Sequence, residues 1–248
     1  MSLGLGAGLG KGGIINSIPG IVTDNLVMKH MYPAGAVQPV SDGSAYFDGS
    51  GDVITVTNSD ELDIRAVDYS FAAWVYLTTD TADLGIVGKR SGSTDRYYWR
   101  IDDSAKPDFY ANEGGTTIGT TATNAISAYE WTHIALTLDR DGNCVHYING
   151  AIDRTHSSVS NLTTDIDVNA DMTIGMREAG GAGSFTGYIA NLGLWQGTAI
   201  SHDIIKSIMW KQYAELTTAE TSGLVAWYPL NTNANDSTGT HNGTTTGF

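Results

Sequence analysis

The run from Tyr69 to Thr79, "YSFAAWVYLTT", constrains the fold more than any other stretch of the chain. Side chains of a strand alternate between its two faces. That puts Phe71, Ala73, Val75 and Leu77 on one face and Ala72, Trp74 and Tyr76 on the other. Both sets are apolar, so this strand is expected at the centre of a sheet that is covered on two sides.

Similar runs recur on either side, separated by turn residues. They include "AYFDGSGDVITV", "LGIVGK", "RYYWRID", "PDFYA", "TTIGTT", "DMTIGM" and "SFTGYIANLGLWQGTAI". Gly49-Ser50-Gly51 reads as a hairpin connector inside the first of these, and the pattern as a meander. The clearest hairpin is "EWTHIALTLDRDGNCVHYINGAI", turning at Arg140-Asp141-Gly142 with Asp139 opposite Asn143, which places Ile134, Leu136 and Leu138 on one face. Only "SHDIIKSIMWKQYA" has helical period, with Ser201 as N-cap and Ile204, Ile205, Ile208 and Met209 on one side. The last strand should stop at Pro229, which has no N–H to give a ladder, leaving a polar tail.

Thirty glycines and a length of 248 residues fit one large all-β domain built from short strands and tight turns. A net charge of −14 argues against a phosphate-backbone partner, so no nucleic acid is expected. Cys144 is the only cysteine, which excludes an intrachain disulfide. The first 20 residues alternate Gly with Leu or Ile and lack the basic start of a signal peptide, and no apolar run is long enough for membrane insertion. Residues 1–24 are therefore expected to form a Gly-rich arm, with Leu3, Leu5, Leu9, Ile14 and Ile15 as its assembly contacts. "GLGKGG" at 8–13 satisfies G-x-G-x-x-G, but without a preceding strand and a following helix it is no nucleotide site.

Taken in order, "AYFDGSGDVITV", "YSFAAWVYL", the Trp131 to Ala135 run with its hairpin and "YING", and "FTGYIANLGLW" resemble successive strands of the concanavalin A-like lectin and glucanase superfamily. The nearest branch is the laminin G-like domains found in bacterial and phage proteins. The resemblance implies an all-β, two-sheet antiparallel jelly-roll sandwich over residues 25–248, with one short helix and the extended arm outside it.

Retaining glucanases of that superfamily carry alternating carboxylates on one strand, and "ELDIR" offers Glu61 and Asp63 but then Arg65. The segment reads as a connector into the strand at Phe71, with no catalytic residue assigned. His133 falls on the other face from Cys144 and His146, which disfavours a shared metal ion. Many relatives hold calcium through Asp side chains, which makes Asp165, Asp167 and Asp171 the calcium candidates. For glycans the aromatic and polar cluster at Tyr97, Trp99, Arg100 and Asp102 is the candidate.

Three functions are expected, in this order. The first is a non-enzymatic virion structural protein of a phage, a capsid decoration or tail component anchored by its arm to other virion proteins and to copies of itself, with glycan adhesion. The second is a free carbohydrate-binding module, and the third a glycoside hydrolase.

Overall fold

The computed structural model describes residues 43–80, 82–91, 95–113, 115–156, 159, 165–178 and 182–248. The expected arm with Leu3, Leu5, Leu9, Ile14 and Ile15, and residues 25–42 of the expected domain, lie outside the described residues.

In chain order the strands are β1 (Ala45–Asp48), β2 (Val53–Val56), β3 (Tyr69–Leu77), β4 (Leu84–Ser91), β5 (Asp95–Ile101), β6 (Pro107–Glu113), β7 (Thr116–Thr121) and β8 (Trp131–Leu138). There follow β9 (Cys144–Ile148), β10 (Ala151–His156), β11 (Met172–Ile174), β12 (Met176–Glu178), β13 (Ala182–Ser184), β14 (Thr186–Gln196), β15 (Leu224–Tyr228) and β16 (Gly243–Thr246). A first sheet runs β1-β14-β3-β8-β9-β10 with β15 also on β14, and a second runs β16-β2-β11-β4-β5-β6-β7. Every ladder between these strands is antiparallel. This is the all-β, two-sheet antiparallel sandwich that the resemblance implies.

The core lies between the sheets. Phe71, Ala73, Val75 and Leu77 of β3 meet Ile134, Leu136 and Leu138 of β8 and Tyr97, Trp99 and Phe109 of the second sheet in one buried cluster. Phe71 stacks on Trp99 at 5.6 Å between ring centroids. Burying each such side chain contributes about 1.5–3 kcal/mol, which offsets the ordering of this many short strands.

On the other face of β3, Ser70, Ala72 and Trp74 are buried and only Tyr76 is half-buried. Helix α1 (His202–Ile208) starts at Ser201, whose Oγ accepts from the Ile204 N–H at 3.3 Å. It lays Ile205 and Ile208 on Ala72, Ala135, Trp195 and Trp227. Among the described residues no helix lies on the end of the strand that carries Tyr76.

One expectation needs correction. Gly49-Ser50-Gly51 does not close a hairpin: β1 pairs with β14 in the first sheet and β2 with β11 and β16 in the second. Gly49 at φ 83° and Gly51 at φ 92° let the chain turn a corner between sheets. β15 ends before Pro229 as expected, and within the polar tail Gly243–Thr246 forms an edge strand on β2. The buried Asp236 holds the intervening loop by accepting from the backbone N–H groups of Trp227 (2.8 Å), Thr238 (2.9 Å) and His241 (3.0 Å).

Candidate functional site

Tyr97 and Trp99 are fully buried between the sheets, so they offer no surface to a glycan. The cause is the alternation of β5: Tyr97, Trp99 and Ile101 are all buried, and Arg96, Tyr98 and Arg100 take the outward positions. Asp102 is engaged in the β5–β6 turn, where its Oδ1 accepts from the N–H groups of Ser104 and Lys106 at 2.9 Å each.

On the outer face of the second sheet, Tyr98 stacks on Tyr110 with ring centroids 5.1 Å apart and planes 14° from parallel. The Arg100 and Arg177 guanidiniums lie 5.0 and 5.4 Å from the Tyr98 centroid, and that of Arg96 lies 5.2 Å from the Tyr110 centroid. Arg100 is further fixed by Asp108 (2.8 Å) and Asp83 (3.0 Å), Arg177 pairs with Asp83 and Glu178, and Arg90 pairs with Glu178. Both rings of this pair are engaged by each other and by cations, so this face presents polar groups rather than an open platform.

The open aromatic surface is on the first sheet. Tyr46 of β1 is directly opposite Tyr188 of β14, Tyr188 opposite Tyr76 of β3, and Tyr76 opposite Trp131 of β8. Successive ring centroids are 4.9, 5.7 and 5.6 Å apart. This row crosses four strands at the end of β3 that α1 does not cover. Tyr46 is 47% exposed, and the other three rings are half-buried. Trp74, one step along β3, is roofed by Trp210 at 6.1 Å and donates from Nε1 to the Met209 carbonyl at 3.1 Å. Tyr46 also borders a cleft of about 860 Å³ rimmed by Asp48, Asn231, Asn233 and Asn235, with Phe248 in its wall. An aromatic strip leading into a cleft with amide and carboxylate groups is chemistry suited to a sugar chain: ring faces for its C–H surfaces, polar rims for its hydroxyls.

The residues around "ELDIR" serve another purpose. Asp63 and Lys89 form a buried ion pair at 2.7 Å, and Asp63 also accepts from the Val168 N–H at 3.0 Å. Burial pushes the Asp63 carboxyl up and the Lys89 ammonium down, with their mutual hydrogen bond working against both shifts. The Ser59 hydroxyl donates to Glu61 and holds that carboxyl below its ordinary range. Asp63 is thus closed to any substrate, and the segment is the connector that leads into β3.

The calcium candidates are not gathered as a triad. Asp165 and Asp167 face Arg65 at 3.5 and 3.4 Å, whereas Asp171 accepts from the Asn58 N–H at 2.9 Å. Among the described residues Asp60, Asp63 and Asp167 bring oxygens within 4.8 Å of one another. Arg65 lies 3.7 Å from Asp60, and Lys89 is bound to Asp63. These internal cations supply the positive charge, and the donor set does not fit the six to eight oxygens that calcium takes.

His133 and His146 fall on opposite faces of the first sheet. His133 packs edge-on against Trp74, and its carbonyl accepts from the Asn149 N–H at 2.7 Å. Cys144 and His146 both meet the Thr120 hydroxyl in the core, at 3.3 and 3.1 Å. Burial pushes the Cys144 thiol up to about 12, far from a reactive thiolate.

Comparison with solved structures finds the same fold in other proteins. A Bacteroides ovatus protein provisionally assigned to carbohydrate binding superposes with a TM-score of 0.63 at 21% identity. The match covers 82% of this chain and 58% of that protein's length. The CBM40 domain of the Ruminococcus gnavus IT-sialidase, solved with α2,3-sialyllactose, gives 0.54 at 12% identity over 68% of this chain and 97% of that one. Domain 4 of the Geobacillus stearothermophilus arabinanase AbnA, solved with arabinotriose, gives 0.52 at 17% identity over 67% and 76% of the two chains. No curated protein sequence matches the chain. The family model for the concanavalin A-like lectin/glucanases superfamily, laminin G type, matches residues 48–206, well over half of the 248. With its two antiparallel sheets and buried aromatic core, the chain belongs to the laminin G branch of the concanavalin A-like lectin and glucanase superfamily.

Proposed function

We propose that this protein is a non-enzymatic carbohydrate-binding module that lays a glycan chain along the Tyr46, Tyr188, Tyr76 and Trp131 row, one end reaching the cleft beside Tyr46. The register of those four rings across four adjacent strands carries the reading. Strands lie about 4.8 Å apart, so the row offers apolar contact over several sugar units. The sugars bound by the R. gnavus and AbnA domains, on the same fold, support it. The burial of Asp63 against Lys89 speaks against the one carboxylate pair that resembles a glucanase signature.

A glycan array should identify a ligand, and calorimetry with it should show Tyr188→Ala and Trp131→Ala each weakening binding about tenfold, some 1.4 kcal/mol. Binding unchanged in the double variant, with its thermal midpoint intact, would sink the assignment.

The setting we propose is a phage particle, with residues 1–24 tethering the sandwich to other virion proteins and to copies of itself. Its support is the sequence of the arm, where Leu3, Leu5, Leu9, Ile14 and Ile15 alternate with glycines that permit close backbone approach. Deleting residues 2–16 should abolish incorporation into particles while glycan binding and thermal midpoint stay as they were. Normal incorporation rules the tether out.

A further inference from the structure

The four rings of the aromatic row are not coplanar. Tyr46 is turned 47° from Tyr188, Tyr188 80° from Tyr76, and Tyr76 57° from Trp131. The row also curls. Trp131 starts two strands from Tyr188, about 10 Å away, yet its ring centroid comes to 6.3 Å from that of Tyr188, with the planes at 52°. A sugar stacks its C–H face on the face of a ring. A flat ribbon or lattice of sugars can lie on only one of two rings set 80° apart. A chain whose units turn can meet each ring in succession.

Beside the row stands a wall. Trp74 is on the same face of β3 as Tyr76, two residues earlier and about 7 Å along the strand. Ala190 of β14 is directly opposite Trp74. Met209 packs on both, and Trp210 stands over Trp74 with 52% of its surface exposed. This second layer crosses β3 and β14 alongside the row. Tyr76 and Tyr188, both half-buried, are the floor of a groove, and a wide flat face would meet Trp210 before it reached them.

The cleft at the Tyr46 end is anionic. Asp48 on its rim is exposed, with one carboxylate oxygen accepting from the Ser50 N–H at 2.6 Å. The exposed amides of Asn231, Asn233 and Asn235 share that rim. A carboxylate accepts from sugar hydroxyls and repels an acidic sugar, here on a molecule of net charge −14.

Resting on the carbohydrate-binding reading above, we propose that the ligand is a single neutral glycan chain whose successive units turn relative to one another. It lies in the groove between the row and Trp210, which excludes the flat face of a crystalline polysaccharide, and Asp48 selects against acidic chains.

Calorimetry on the full chain tests this with four oligosaccharides. Laminarihexaose and maltohexaose have linkages that turn the chain, cellohexaose extends as a flat ribbon, and an oligogalacturonate is acidic. Cosedimentation with microcrystalline cellulose tests the flat face. At least one turning chain should bind about tenfold more tightly than cellohexaose and the oligogalacturonate, and the protein should stay in solution over cellulose. Trp210→Ala should weaken that chain about tenfold. Trp210→Phe, which keeps a ring over Trp74, should retain most of the affinity, and it remains informative if the Ala variant does not fold. Asp48→Asn, whose amide oxygen still accepts from Ser50, should narrow the gap between the neutral chain and the oligogalacturonate at low salt. Binding that Tyr188→Ala abolishes but that favours cellohexaose, cellulose or the oligogalacturonate overturns this inference and leaves the row standing as a sugar site. Binding that Tyr188→Ala leaves intact strikes the row and this inference together. Full affinity in both Trp210 variants, or no binding of any of these probes, also overturns it.

Discussion

At the residue scale, the pair Asp63 and Lys89 shows how a motif that resembles an active site becomes part of the interior. Both side chains are at most 1% exposed, and one Asp63 oxygen, Oδ2, has no partner at all. Taking two charges out of water costs several kcal/mol per ion, and their attraction returns this only in part. Asp63→Ala leaves a buried ammonium without its counter-ion and should cost about 3–5 kcal/mol. The double variant Asp63→Leu with Lys89→Met removes both charges, leaving mainly the Val168 N–H unpaired at about 1–3 kcal/mol. The double variant should therefore be more stable than Asp63→Ala alone. Urea denaturation of both decides the matter, and a double variant that is the less stable of the two would mean the pair is a net source of stability.

At the element scale, legibility followed the distance along the chain over which a pattern acts. The two faces of β3, the pairing of Asp139 with Asn143 and the Ser201 cap are local, and all three appear in the structure where the sequence puts them. β5 was readable too, since Arg96, Tyr98 and Arg100 alternate with Tyr97, Trp99 and Ile101, and the set with two charges belongs outside. Weighing aromatic content without that alternation selects the buried set. The row of Tyr46, Tyr188, Tyr76 and Trp131 was not readable, because its register joins strands more than a hundred residues apart. Nothing local distinguishes a Tyr beside three other rings from one that stands alone. The turn at Gly49-Ser50-Gly51 failed for the same reason: its glycines permit a hairpin or a corner, and only the partners of β1 and β2 choose.

At the scale of the whole molecule, the sandwich encloses two imidazoles that share no ligand and titrate together. His133 is 2% exposed under Trp74, and His146 is fully buried beside Thr120. Burial pushes the pKa of each down from 6.5 to about 3. Above pH 6.5 neither the folded nor the unfolded chain holds a proton on these rings, and they leave stability unchanged. Below it the unfolded chain takes up protons that the folded one refuses, so stability falls with pH until the folded rings titrate near 3. Once pH is below 6.5 the slope approaches about 1.4 kcal/mol per pH unit for each ring. Glu220 adds its own loss only lower down. Burial alone would raise its carboxyl, but bonds from Lys211, Ser207 and Thr217 together bring it down from 4.5 to about 2. Acid destabilisation should thus set in near pH 6.5, well above the range where carboxylates protonate. His133→Phe keeps an aromatic ring against Trp74 and removes one proton site. Between pH 6.5 and 5 its slope, from urea denaturation at constant ionic strength, should be shallower than the parent's by about one ring's share. A parent stability that is flat across that interval, or an unchanged slope in the variant, would show that the rings accept protons inside the folded sandwich.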